Sequence, residues 1–294
     1  MLNYIEPLFR PPSEANSLIF QVTNGCSWNK CAFCEMYTAP QKKFKPTDEK
    51  IVLAEIESIA QNYPDAKRIF LADGDAMVLS TRRLLTILNK INACFENVNR
   101  VSVYCLPRNV KNKSVSELTE LREAGLGLVY VGAESGDDEL LTLINKGETF
   151  SSTVEALHKI HSAGIKSSVM VLNGLGGVDY SQQHAIHSAE LVNEIQPHYL
   201  ATLVISFPLG KERFFSHFSN NFQLLDQNGL FKEMETFLSR TNLKQTIFRS
   251  DHASNYLVLK GVLGRDKDKL LNMLQQALDN PEKVHLRQEW QRGL

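Results

Sequence analysis

Between residues 18 and 206 one arrangement recurs. A short apolar, β-branched run closes on small or polar residues, and a longer stretch follows with apolar side chains three and four apart. The short runs predict strands at 18–23, 68–72, 101–106, 128–132, 168–172 and 199–206. The longer stretches predict helices at 48–61, 81–95, 115–124, 153–163 and 181–195, with Val52, Ile56 and Ile59 as one apolar stripe. Thr47 stands where an N-cap belongs, and Gly125 and Gly164 stand where a helix ends in a left-handed residue. Strands alternating with helices imply parallel pairing through right-handed crossovers. The expected fold is therefore α/β, a partial (β/α)6 barrel of the TIM type with a C-terminal extension. Chemistry in such arrangements gathers at the carboxyl ends of the strands.

The flanks read differently. Residues 1–16 hold Pro7, Pro11 and Pro12 and are expected to form an extended N-terminal strap. The barrel is assigned to 17–207. Past Pro208 the rhythm stops, and 208–294 is expected to be an extension covering the barrel. It opens with many phenylalanines among polar residues, from Phe214 to Phe248, which suggest helical packing. The stretch 248–256 is dense in donors and acceptors. It is either a polar turn or a segment closing the barrel mouth over substrate. An amphipathic helix is expected at 266–278, and Pro281 begins a charged tail.

Composition narrows the function classes. With 294 residues, 43% hydrophobic and 22% charged, the chain resembles an ordinary globular protein able to bury a large core. A formal net charge of −1 gives no global field for non-specific nucleic-acid binding, though a local RNA site stays open. No apolar run is long enough to cross a membrane, and the start lacks a signal-peptide pattern. Five cysteines without an export signal point to a reducing, cytoplasmic location.

Three of those cysteines, Cys26, Cys31 and Cys34, fall within nine residues directly after the first predicted strand. Thiolates are the ligands that thiophilic centres select, and iron–sulfur clusters are held almost wholly by them. A [4Fe–4S] cluster has four irons, so three cysteines leave one iron open to a ligand that is not protein. A structural zinc site usually wants four ligands, and no second Cys-x2-Cys or histidine pair follows at finger spacing. Three buried thiols so close together would be the other plain explanation.

The loop Cys26-Ser27-Trp28-Asn29-Lys30-Cys31-Ala32-Phe33-Cys34 resembles the cluster loop of the radical S-adenosylmethionine (SAM) superfamily. Its Cys-x4-Cys-x2-Cys spacing is one residue longer between the first two ligands than the commonest form. Farther on, Gly132-Ala133-Glu134-Ser135-Gly136-Asp137 with Lys146-Gly147 resembles the Glu-Ser-Gly…Lys-Gly signature of one branch. That branch contains Elongator-type tRNA modifiers and oxygen-independent coproporphyrinogen oxidases. The resemblance implies SAM bound at the open iron, reductive release of methionine, and a 5′-deoxyadenosyl radical that abstracts hydrogen. Trp28, Phe33 and Met36 are expected to help exclude water.

The resemblance also implies SAM contacts. Gly74 and Asp75 resemble a Gly-Gly-Glu-like stretch that holds the methionine ammonium, although an acidic turn is the plain alternative. Glu134 is expected near the SAM ribose or ammonium, with Ser135 beside it; capping the next helix is its other use. Arg108 is a candidate for a carboxylate of SAM or substrate, or for a surface salt bridge. Gly174, in Leu172-Asn173-Gly174-Leu175-Gly176-Gly177, suits close packing against adenine. Cys105 and His252 are candidate catalytic residues, Cys105 being equally well a small buried hydrophobe. His184 and His187 are read as surface or packing residues. The function expected is SAM cleavage beginning radical chemistry by hydrogen abstraction, on a small molecule. Elongator-like tRNA modification, tetrapyrrole oxidation, a non-catalytic iron–sulfur electron carrier and a zinc-stabilised interaction protein are the alternatives. An external reductant such as flavodoxin or ferredoxin is implied, steered by Lys30, Lys42, Lys43 and Lys45.

Overall fold

The first apolar run becomes β1 (Leu18–Gln21), and the chain passes almost at once into β2 (Thr23–Asn24), which pairs antiparallel with β3 (Lys45–Pro46). One strand was expected over 18–23. The break falls at Val22, whose N–H donates to Ala72 O and whose carbonyl accepts from Thr47 N–H at 3.0 Å, so the backbone changes partner there. The structure, a computed structural model, describes residues 4–218 and 222–292. The chain divides into two units. Met1–Asn29, Cys34–Val131 and Glu155–Ser167 form one, and Lys30–Phe33, Gly132–Val154 and Ser168–Leu294 form the other.

The elements that follow are α1 (Glu49–Ala60), β4 (Arg68–Ala72), α2 (Thr81–Cys94), β5 (Arg100–Tyr104), α3 (Val115–Glu123) and β6 (Leu126–Glu134). In the first unit β1, β4, β5 and β6 lie side by side, each pair parallel. The α1 stripe of Val52, Ile56 and Ile59 is buried as its spacing requires. Asp48, not Thr47, caps α1, accepting from Lys50 N–H; the Thr47 hydroxyl instead donates to Gln21 O at 2.8 Å. Gly125 and Gly164 adopt φ of +107° and +76°, a region open to glycine at little cost. Glu14 is wholly buried, and its carboxylate accepts from Tyr130 Oη (2.6 Å) and Arg100 Nη2 (2.7 Å).

The remaining elements are α4 (Asp138–Leu143), α5 (Phe150–Ser162), β7 (Lys166–Asn173), α6 (Gly177–Ile195), β8 (Tyr199–Val204), α7 (Glu212–Phe215), α8 (Gln227–Arg240), β9 (Ile247–Ser250), β10 (Leu259–Val262) and α9 (Lys267–Asp279). In the second unit β7 and β8 pair in parallel. The rhythm does not stop at Pro208. Helix α8 leads into β9, which pairs parallel with β8, and only β10 returns antiparallel. The sequence pattern missed β9 because its four residues, Ile-Phe-Arg-Ser, are too few to show a period. The fold is α/β with mostly parallel strands.

The stretch 248–256 also resolves into particular bonds. Past the end of its pairing with β9, β8 finds its partner in one side chain: Asn255 accepts from Val204 N–H (3.1 Å) and donates to Thr202 O (2.9 Å). The carbonyls of Asp251, His252 and Asn255 accept from the Arg287 guanidinium, and Ser254 O accepts from Arg292 Nε. The polar density thus ties the C-terminal tail to a strand end.

Candidate active site

In the first unit the end of β4 meets the start of the cysteine loop. A Cβ on Gly74 would collide with Gly25 O and the Cys26 Cα, so only glycine permits this approach. Asp75 is completely buried and turned onto the loop. Its carboxylate accepts from the Ser27 N–H (2.8 Å), the Ser27 hydroxyl and Asn109 Nδ2 (3.0 Å). Burial holds its acid above the usual carboxylate range, with the Ser27 and Asn109 bonds opposing. Arg108 lays its guanidinium over the Trp28 ring, 4.0 Å from the centroid. Cys105 is buried, its thiol donating to Leu106 O at 3.3 Å.

Lys42 is not a surface lysine. It is fully buried, donating to the Asp73 carboxylate and to Ile5 O (2.9 Å), which removes it from any docking surface. Its stem follows the 40–43 turn inward, where Asn24 Nδ2 donates to Gln41 O and Lys43 O. Lys30, Lys43 and Lys45 are exposed.

In the second unit, Lys30–Phe33 is pinned at two points. Ala32 N–H donates to Ile144 O (2.8 Å), and Arg213 Nη2 donates to Cys31 O (2.9 Å). Ala32 packs in an apolar cluster with Leu140, Leu141, Ile144, Leu175 and Phe214, and Phe33 packs against it. Glu134 takes φ +67°, a left-handed conformation uncommon outside glycine, and pairs with Lys146 Nζ at 3.1 Å. Lys146 also lies 5.7 Å from the Phe33 ring centroid. Burial pushes the Cys31 thiol up, while Lys146 and Arg213 pull it toward the thiolate.

Ser135 is committed to the protein. Its oxygen accepts from Asp137 N–H (3.0 Å) and lies 2.8 Å from His184 Nδ1. His184 Nε2 stands 3.0 Å from Leu172 O, a carbonyl that can only accept, so the ring's proton is on Nε2 and Ser135 donates to Nδ1. His184 is therefore a buried junction, not a surface histidine, and burial lowers its pKa to about 4. His187 pairs with Asp137, which caps α4. Gly174 has φ +83°, and its N–H donates to Glu233 Oε1 at 2.6 Å. The signal for both His184 and Glu233 was available. Each polar residue falls on the apolar face of its helix, Glu233 between Leu230 and Phe237 and His184 beside Ala185 and seven residues before Leu191.

Gly174 borders a cavity of about 560 Å³ within the second unit. Val204, Ile205, Phe207 and Leu230 give it an apolar wall, and Lys211 and Arg292 are among its polar residues. His252 is not part of that lining. Its Nδ1 accepts from Ser254 N–H and lies 3.0 Å from Ser254 Oγ, an arrangement that shapes the turn.

Residues 20–189 match the Radical SAM superfamily, more than half of the chain. The chain belongs to that superfamily. Among curated proteins it is 26% identical over 168 residues to the heme chaperone HemW of Bacillus subtilis, covering 54% of this chain and 43% of HemW. It is 29% identical over 152 residues to archaeosine synthase subunit beta of Thermococcus kodakarensis, covering 48% of this chain and 45% of that protein. The chain spans less than half the length of either relative. Coproporphyrinogen III oxidase (HemN) from Escherichia coli, itself a radical SAM enzyme, shares the fold. Its TM-score is 0.56 at 15% identity, covering 76% of this chain and 52% of HemN.

A radical SAM enzyme carries a [4Fe–4S] cluster and uses SAM. The donor chemistry of the loop fits that cluster. Cys26, Cys31 and Cys34 are thiols, each partly exposed, and no disulfide occurs among the described residues. Among those residues no three His, Cys, Asp or Glu side chains are already disposed to grip a metal ion. The backbone of the loop is held at Ser27, Cys31 and Ala32. No helix of the described residues is long and apolar enough to cross a membrane.

Proposed function

We propose that this radical SAM enzyme holds its cluster through Cys26, Cys31 and Cys34 and begins radical chemistry by hydrogen abstraction from a small molecule. The observation that carries the reading is the pinned cysteine loop inside the matched region. Asp75 ties down Ser27 after the first thiol, and Ile144 and Arg213 tie down the segment of the second. When bound, the cluster supplies an electron and SAM the sulfonium that accepts it.

This chain's residues supply position and shelter. In the first unit Gly74, Asp75 and Arg108 stand toward SAM, Asp75 through the loop it fixes. In the second unit Glu134 presents a buried carboxylate for a ribose hydroxyl or ammonium, and Gly174 offers backbone to a flat ring. The 560 Å³ cavity lies within the range of about 300–1,000 Å³ typical of small-molecule sites. Its apolar wall with a few charged groups suits a metabolite better than a polynucleotide backbone.

Anaerobic reconstitution tests the proposal. About four irons and four sulfides per chain are expected, abolished by Cys26→Ala, Cys31→Ala or Cys34→Ala and kept by Cys94→Ala. With dithionite and SAM, the loaded chain should release 5′-deoxyadenosine, faster with one member of a metabolite panel. A loaded cluster that never cleaves SAM, or equal iron loss from Cys94→Ala, would overturn it.

A further inference from the structure

Glu233 sits on α8 with its carboxyl buried between α6 and the end of β7. One oxygen, Oε1, accepts from Gly174 N–H at 2.6 Å. The other, Oε2, has no hydrogen-bond partner, and neither do two atoms on neighbouring strands, Asn173 Oδ1 and Thr202 Oγ1. Asn173, Thr202 and Glu233 all line one cavity of about 10 Å³, with His184, Ser188 and apolar Val171, Ala185, Met234 and Phe237 around it. A water needs roughly 10–15 Å³ and two to four polar partners, and buried polar atoms left unpaired are rare.

The charges facing Glu233 decide its form. From α6 come His184, whose Nε2 lies 3.8 Å from Oε1, and the hydroxyls of Ser181 and Ser188. His184 donates its one ring proton to Leu172 O and accepts from Ser135, so it offers no positive charge. From β7 and β8 come the neutral Asn173 and Thr202. From α9, Lys267 donates to Ser239 O and Thr241 O at the far end of α8. A carboxylate here would be a buried anion without a counter-charge, which costs several kcal/mol.

We propose that Glu233 is a neutral carboxylic acid, protonated on Oε2, which with one bound water positions the Gly174 peptide at the wall of the 560 Å³ cavity. The water accepts from Glu233 Oε2–H and from the Thr202 hydroxyl and donates to Asn173 Oδ1, so the three unpaired atoms are satisfied together. The acid form leaves Oε1 to receive Gly174 N–H. Burial raises the Glu233 pKa to about 7 against the opposing bonds from Gly174 N–H and the Ser181 hydroxyl, so the proton is held below neutrality and lost as pH rises through it. Ionisation draws water to the carboxylate and loosens the 172–177 loop, making Glu233 a positioning residue whose grip depends on pH.

The placement of Gly174 beside a SAM-derived ring rests on the function proposed above; the state of Glu233 does not. The test uses the anaerobically reconstituted full chain as wild type, Glu233→Gln and Glu233→Ala, at pH 6 and pH 8. Gln copies the neutral acid, accepting from Gly174 and donating to the water. Hydrogen exchange of residues 172–177 should match between wild type and E233Q at pH 6. At pH 8 it should be about tenfold faster in wild type, the change one pKa unit between held and open loop produces. E233A should exchange fast at both. An infrared carbonyl band of a protonated acid should be present in wild type at pH 6, weaken by pH 8 and be missing from E233Q. Parallel exchange of wild type and E233Q across pH, or an unchanged band in E233Q, overturns the proposal. S-adenosylhomocysteine titrated into the same samples separates the two readings. If it binds none of them while the exchange pattern holds, the placement of Gly174 beside SAM falls and Glu233 stands.

Discussion

Lys146 Nζ lies 3.1 Å from Glu134 Oε1, with side chains only 5% and 9% exposed. Their pairing explains why a Lys-Gly follows the Glu-Ser-Gly twelve residues later. The lysine neutralises a carboxylate that a left-handed backbone holds inside, and its charge also reaches the Cys31 thiol. Gly132 leaves room for this pair, since a Cβ there would displace the Glu134 carboxylate.

Breaking this pair should be costly when one partner is removed alone and much less so when both are. Lys146→Met leaves a buried unpaired charge and should lower unfolding free energy by about 3–5 kcal/mol. Lys146→Met with Glu134→Met should recover much of the loss, because no charge is left stranded. Denaturant unfolding of the three proteins reads both numbers; a double variant no better than the single one would show that shape, not charge, sets the cost.

Asp75 acts first on the cysteine loop. Asp75→Asn keeps size but weakens the charge-assisted bonds to Ser27 and Asn109, each worth about 1.5–3 kcal/mol. Cluster loss to a chelator should quicken in Asp75→Asn and in Ser27→Ala alike. Weakened SAM binding with wild-type chelation kinetics would instead make Asp75 a direct SAM contact with no part in holding the loop.

Electron delivery gives another measurement. Lys43→Glu with Lys45→Glu should slow reduction by flavodoxin and flatten its ionic-strength dependence, since these two lysines are exposed. Dithionite needs no docking surface and should change little. Lys42→Glu should fail differently, by unfolding, because its partner Asp73 is buried and acidic. If flavodoxin reduces the Lys43/Lys45 variant at the wild-type rate and salt dependence, these lysines are ordinary surface residues.

Stability should depend on pH through two opposed groups. The folded pKa of His184 is lowered to about 4 from 6.5, so its neutral form is favoured and stability falls as pH drops from 6.5 toward 4. The folded pKa of Glu233 is raised to about 7 from 4.5, so its contribution is present below 4.5 and is lost as pH rises to 7. Each is on the order of 3 kcal/mol and they offset between pH 4.5 and 6.5. Glu233→Gln removes the second alone. Its melting temperature should climb from pH 4.5 to 6.5 where the wild type stays nearly level, and a parallel pair of curves would contradict these assignments.

The sequence by itself determined what repeats or what lies close along the chain. Strand and helix periods, the glycines ending α3 and α5, and the spacing of Cys26, Cys31 and Cys34 are local properties, because propensity, side-chain period and loop ligation act over a few residues. They sufficed for the α/β class and for the superfamily. Only the tertiary structure decided which polar residues meet. Lys42 reaches Asp73 across 31 positions, His184 reaches Ser135 across 49, and Glu233 reaches Gly174 across 59. A surface lysine and a buried one have the same local pattern; burial is settled by the elements packed above them, which no short window contains. The same reason hid β9, a strand of four residues that exists because β8 offers it an edge.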